Sequence, residues 1–180
     1  AEAHLDAVLE PLPLGDDALT AELPATGLEQ LEFMLAANRG EPARPLRKVA
    51  SGGELSRTML ALKTVLAAHD QVGTLVFDEI DANVGGRLGD VLGEKLAALG
   101  RTHQVICVTH LPQVASYAPH QWTIRKLRNG QRTTTTIDLL GEEDRLEELA
   151  NMLRGKSRGE NTRKEALAML SAARKSWQGR

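Results

Sequence analysis

The 180-residue sequence predicts an α/β fold with a parallel sheet. Two observations carry this. Residues 72–77 and 104–109 are strand-like apolar runs, and between them Leu88, Val91, Leu92, Leu96 and Leu99 recur at helical spacing. Strand, helix, strand at this separation is a βαβ unit, whose strands run parallel. Just upstream, Ser51-Gly52-Gly53-Glu54 opens a helix. Ser51 suits an N-cap, and two glycines let another backbone come close.

The elements follow in order. Residues 1–10 are helical in composition, begin without a cap and are stopped by Pro11 and Pro13. They read as the tail of a longer helix or as a simple N-terminal one. Residues 18–23 and 29–37 alternate and are separated by Pro24 and Gly27, which predicts a hairpin. Residues 38–45 are a loop by their Gly and Pro content. The helix begun at Ser51 extends to about His69, with Leu55, Met59, Leu62 and Leu66 along one face. Gly100 ends the helix of the βαβ unit. A short helical turn is expected near residues 112–116. Residues 121–127 and 132–139 flank Asn129-Gly130, a hairpin turn signal. Leu146, Leu149, Ala150 and Leu153 share a face and mark a helix over 142–153, and a last helix spans about 162–177.

Composition sets further bounds. This length suits one domain with a real core. Lys and Arg number 22 against 24 Asp and Glu, a net charge of −2, so any nucleic-acid contact needs a local basic patch. Two such clusters exist, Arg125-Lys126-Leu127-Arg128 and residues 154–164, the second interleaved with acids. The single cysteine, Cys107, lies in an apolar run and reads as a small buried hydrophobe. With no disulfide framework, no membrane-length apolar run and no signal pattern, a cytoplasmic protein is expected. His4, His69, His103 and His120 are expected at the surface, and Trp122 and Trp177 as packing or terminal residues.

Two stretches carry chemistry. A helix tip with bare N–H groups, as at Ser51-Gly52-Gly53, suits a phosphate. The run Thr74-Leu75-Val76-Phe77 delivers Asp78-Glu79 to a strand end, where an α/β sheet holds a metal–nucleotide site. His110 follows the next parallel strand and emerges at the same edge. Alone, an Asp-Glu pair caps ordinary strand ends, and a strand-end histidine is more often a structural hydrogen-bonder. Their order and separation together favour the functional reading.

These residues resemble the C-terminal half of an ABC-type ATPase head, of the P-loop NTPase fold. Ser51-Gly52-Gly53-Glu54 is similar to the signature motif, Thr74 to Glu79 to Walker B, and Val108-Thr109-His110 to the switch-histidine strand. The extended forms point to the RecN family of SMC-like DNA-repair ATPases. They are Lys48-Val49-Ala50-Ser51-Gly52-Gly53-Glu54-Leu55-Ser56-Arg57, Phe77-Asp78-Glu79-Ile80-Asp81 through Gly85-Gly86, and Val108-Thr109-His110-Leu111-Pro112-Gln113-Val114-Ala115. The resemblance is close from about Leu31 to Lys126.

The resemblance implies ATP and Mg²⁺ as cofactors. Asp78 would hold Mg²⁺, Glu79 would polarise the attacking water and His110 would meet the γ-phosphate. Ser51, Gly52, Gly53 and Glu54 would close on ATP held by an opposite head. Residues 81–86 occupy the D-loop, where Gly85 replaces the aspartate of general SMC heads and leaves Asp81, Asn83 or the backbone for a cross-subunit contact. Residues 1–10 would end a coiled-coil arm, and residues 11–180 would be the head segment. The implied partners are the N-terminal half of the head, a second head and DNA.

Residues 150–157, Ala-Asn-Met-Leu-Arg-Gly-Lys-Ser, match a relaxed P-loop pattern. A P-loop follows a strand, whereas a predicted helix precedes this one. Without it the chain has no Walker A, and ATP turnover is expected only with the missing half. Competing readings are a general SMC-type head, a transporter nucleotide-binding domain, which the Ile80-Asp81-Ala82 run disfavours, and a non-catalytic dimerisation or DNA-docking module.

Overall fold

The structure, a computed structural model, describes residues 4–12, 27–36, 39–49, 51–67, 71–129, 132–154 and 159–178. It forms two compact units, Ala1–Ser51 and Gly52–Arg180.

The first unit holds an antiparallel sheet in the order β1 (His4–Pro11), β2 (Glu29–Ala36), β3 (Arg44–Pro45), followed by the single turn α1 (Leu46–Val49). The helix expected over residues 1–10 is therefore corrected: from His4 the chain is a strand, paired with β2 from His4↔Ala36 to Pro11↔Glu29. The register explains it. Leu5, Ala7 and Leu9 stand opposite Leu35, Phe33 and Leu31, so three successive pairs on one face of the ladder are apolar. A capless helix of this length is marginal in water and cannot compete with eight paired residues. Residues 18–23, expected as the partner of β2, lie outside the described residues.

The second unit opens with α2 (Gly52–Leu66), β4 (Thr74–Phe77), α3 (Gly86–Leu99), β5 (Gln104–Cys107) and α4 (Pro112–Ser116). β4 and β5 pair in parallel, Thr74↔Gln104 to Phe77↔Cys107, as the βαβ reading required. Leu75 and Phe77 of β4 meet Leu60 of α2, Leu92, Leu96 and Leu99 of α3, and Val114 of α4 in one core. Gly89 and Gly93 are buried on α3 because Leu111, Gln113 and the Tyr117 ring lie where side chains would stand. Their spacing of one turn keeps both on one face.

The buried face of α2 differs from the expected one. Gly53 and Leu60 face the core, with Arg57 and Thr64 beside them. Leu55, Met59 and Leu66 are exposed instead. The two stripes are offset by two residues, about 200° around a helix, so α2 is apolar on opposite sides. The sheet shows the same excess. Its other face carries Val76 at 66 %, Ile106 at 47 % and, just past β5, Val108 at 52 % exposure.

β6 (Trp122–Asn129) and β7 (Arg132–Leu139) form the expected hairpin, whose turn residues 130–131 lie outside the described residues. Trp122 and Ile124 sit opposite Leu139 and Ile137 on an exposed face, so Trp122 is not a packing residue within this chain. α5 (Glu142–Arg154) and α6 (Glu160–Gln178) close a second core through Ala115, Leu146, Leu149, Ala150, Ala166 and Leu170. The Trp177 side chain is outside the described residues.

Candidate nucleotide site

The parallel register brings the predicted chemistry to one edge. Phe77 pairs with Cys107, so Asp78 and Glu79 leave β4 where Val108, Thr109 and His110 leave β5. Val108 N–H donates to Phe77 O at 2.9 Å and carries the ladder to that edge. Asp78, Glu79 and His110 are all exposed there.

The glycine-opened end of α2 is fixed against the segment after β4. Ser56 Oγ donates to Asp78 O at 2.7 Å, and Arg57 Nη1 donates to Ile80 O and Ala82 O at 3.1 and 3.0 Å. Gly53 makes this approach possible, because a Cβ there would stand 2.8 Å from Glu79 O. A Cβ on Gly52 would meet the Glu79 carboxylate, Oε2 at 2.6 Å. Glu79 has φ 55° and Asn83 φ 60°. Such left-handed backbone costs non-glycine residues about 1–3 kcal/mol and persists where surrounding contacts impose it. At Glu79, the Ser56 and Arg57 bonds do so. Ser51 directly precedes α2 and is exposed, as is Glu54 in its first turn.

Asp81 behaves differently from the expectation. It is 2 % exposed, its carboxylate turned toward the segment after β5. Its Oδ2 accepts from Thr109 Oγ1 at 2.5 Å, from His110 N–H at 2.8 Å and from Leu111 N–H at 3.2 Å. His110 Nδ1 lies 3.1 Å from the same oxygen, while its ring is largely exposed. Burial alone would push the Asp81 carboxyl up. The hydrogen bonds from Thr109 and His110 and the charge on His110 outweigh burial, leaving it below its ordinary value of 3.8. Of the other D-loop candidates, Asn83 and Gly85 are exposed.

Asp78 Oδ1 accepts from Glu79 N–H at 2.9 Å. Mg²⁺ keeps several waters and needs only one or two protein carboxylates, so an exposed strand-end aspartate fits it. Among the described residues no group of three or more His, Cys, Asp or Glu gathers as a metal cage. Cys107 packs half-buried on the core, and burial, with the nearby Asp81 and Asp78 charges, pushes its thiol up to about 12. It is inert, as the sequence suggested.

Other expectations resolve as follows. His103 is buried, its Nδ1 2.7 Å from Thr102 Oγ1, whereas His4 and His120 are exposed and His69 lies outside the described residues. The P-loop look-alike follows helix α5 rather than a strand, and its residues 155–158 are outside the described residues. Around it, among the described residues, Arg154 pairs with Glu165, Arg163 with Glu143 and Glu147, and Lys164 with Glu160. Arg125 and Lys126 on β6 are exposed. A cavity of about 430 Å³ is lined by Ser116, Tyr117, His120, Gln121, Arg145 and Arg174, among others, and by none of the site residues. Arg145 Nη2 there caps the carbonyls of Ala115, Ser116 and Ala118, a structural task. Among the described residues no helix is long and apolar enough to cross a membrane.

Sequence reasoning placed Ser56, Arg57 and Thr109 inside its motifs but gave them no role. Arg57 had a further signal, because it lies one turn beyond Gly53 on the same face.

No family model matches the chain. It is 44 % identical over 153 residues to DNA repair protein RecN of Treponema pallidum, covering 85 % of this chain and 27 % of that protein. It is 50 % identical over 129 residues to RecN of Xylella fastidiosa (72 % and 23 %). With RecN of Mycobacterium bovis it shares 44 % over 173 residues (94 % and 29 %). The chain thus spans about a quarter of the length of these curated relatives. Among solved structures, the Smc head domain with a coiled coil and joint from Pyrococcus yayanosii is 21 % identical, with TM-score 0.51, over 83 % of this chain and 26 % of that one. The Smc head domain from Pyrococcus furiosus, solved with an extended coiled coil and bound to the C-terminal domain of ScpA, is 18 % identical, with TM-score 0.50, over 83 % and 34 %. These likenesses show the fold.

Proposed function

From its sequence relatedness to a segment of RecN and its SMC-head fold, we propose that this chain is the C-terminal lobe of an ABC-type ATPase head acting in DNA double-strand-break repair. One observation carries the reading. The parallel pairing of β4 and β5 gathers Asp78, Glu79 and His110 at one sheet edge, and Ser56 and Arg57 tie a glycine-opened helix to the same loop.

Phosphoryl transfer asks the protein mainly for positioning and charge neutralisation. Bound at Asp78, Mg²⁺ would neutralise charge on the β- and γ-phosphates. Glu79, held in its unusual backbone conformation, orients a water toward the γ-phosphate and accepts its proton. His110 meets the γ-phosphate from the neighbouring strand end. Ser51, Gly52, Gly53 and Glu54 meet a nucleotide held by a second head, with Asn83 and the Gly85 backbone beside them. The phosphate cradle comes from a separate segment bearing a P-loop. That segment also accounts for the uncovered apolar surface. Parallel sheets are buried on both faces, and a helix apolar on two sides is packed on two sides. Val76, Ile106, Val108, Leu55, Met59 and Leu66 await such a layer. The assembled, cytoplasmic head pairs with a second copy and works on DNA.

The test is to mix this chain with the P-loop-bearing segment of a RecN relative and measure ATP turnover with and without Glu79→Gln. Turnover only in the mixture, lost in the variant, supports the proposal. Hydrolysis by this chain alone, abolished by Lys156→Ala, would overturn it.

A further inference from the structure

We propose that Asp81 is a positioning residue that holds the His110 ring by Nδ1 and presents Nε2 outward. The assignment of His110 to a nucleotide rests on the ATPase reading, but the tie between the two side chains stands on geometry alone.

Asp81 Oδ2 lies 3.1 Å from His110 Nδ1, and the same oxygen takes the backbone N–H groups of His110 and Leu111. An ionised carboxylate only accepts, so a hydrogen bond across this contact requires the hydrogen on Nδ1. With that bond made, Nδ1 is protonated whether the imidazole is neutral or charged. In the neutral ring Nε2 carries the lone pair, and in the charged ring Nε2–H is a donor. In both forms Nε2 is the nitrogen that faces out. The carboxylate is well placed to impose this. It is 2 % exposed, and Thr109 Oγ1 and two backbone N–H groups fix the very oxygen that meets the ring. The ring itself is 71 % exposed. Orienting a working histidine through its second nitrogen is a recurring device; for metal-ligating histidines, losing the partner there costs about 10–100-fold in metal affinity or activity.

Long-range ¹⁵N–¹H NMR of this chain, with ¹⁵N-labelled histidine, reads the tautomer directly. His110 is assigned by the cross-peaks lost in His110→Gln. In mildly alkaline solution His110 is expected in the Nδ1–H form. An Nε2–H pattern in the unaltered chain would overturn the proposal with no variant needed. Asp81→Ala, which removes the acceptor, should release the ring to the Nε2–H form that exposed histidines favour. Thr109→Val removes a bond to the same oxygen without touching the ring, so it should lower stability yet keep the Nδ1–H form. If both variants shift the tautomer alike, Asp81 merely shapes the turn and the proposal fails. Nucleotide plays no part in this measurement, so it can fail while the ATPase reading survives, and the reverse. In the complemented head, Asp81→Ala should slow turnover.

Discussion

Two adjacent glycines should answer the same substitution in opposite ways. A Cβ on Gly53 would lie 2.8 Å from Glu79 O and 2.9 Å from Ala82 Cβ. Neither neighbour is the free end of a side chain. Both belong to the segment that Ser56 and Arg57 hold to α2, so relief requires moving backbone. Overpacking of this kind costs about 1–3 kcal/mol. For a chain of this size that is a fall of roughly 2–12 °C in Tm, at about 2–4 °C per kcal/mol. A Cβ on Gly52 would lie closer still, 2.6 Å, but from Glu79 Oε2. That carboxylate ends an exposed, flexible side chain and can swing aside, so Gly52→Ala should change stability by less than about 0.5 kcal/mol. Urea unfolding of both variants measures the contrast. Equal losses, or a larger loss for Gly52→Ala, would refute the claim that α2 is seated on the backbone after β4.

Leu149 is fully buried where α5 meets α6, so Leu149→Ala should cost about 2–5 kcal/mol in chemical denaturation. Asp81 gives a pH signature. Its carboxyl is lower in the folded chain than its ordinary 3.8, so its contribution to stability is present above 3.8 and is lost as pH falls through the folded value. The stability gap between the unaltered chain and Asp81→Asn should therefore close on acidification below 3.8 and stay constant at neutral pH. With its thiol pushed up to about 12, Cys107 should resist alkylation at neutral pH in the folded chain and react once urea unfolds it.

Much of the second unit was legible because its signals are local. Leu92, Leu96 and Leu99 mark the face of α3 that is buried, and the apolar runs before Asp78 and Thr109 became paired strands. Pro112 to Ser116 is helical as expected, since Pro suits a first helical turn. The failures have physical causes. Residues 4–10 hide an alternating Leu5-Ala7-Leu9 face inside a helix-like composition, and only the β2 partner reveals it. On α2 the periodicity found a genuine apolar stripe, but the chain's own core uses the opposite one. A single sequence does not say which stripe its own residues will cover. Asp81 followed Asp78 and Glu79 closely enough to look like part of one exposed loop. Its inward turn depends on Thr109, His110 and Leu111, which are distant in sequence.

Calorimetric titration of Mg²⁺–ATP, first into this chain and then into its mixture with a P-loop-bearing segment, probes the shared-site idea at its root. Saturable binding should arise only in the mixture and weaken with Asp78→Ala. Tight binding to this chain by itself, indifferent to Asp78→Ala, would contradict it.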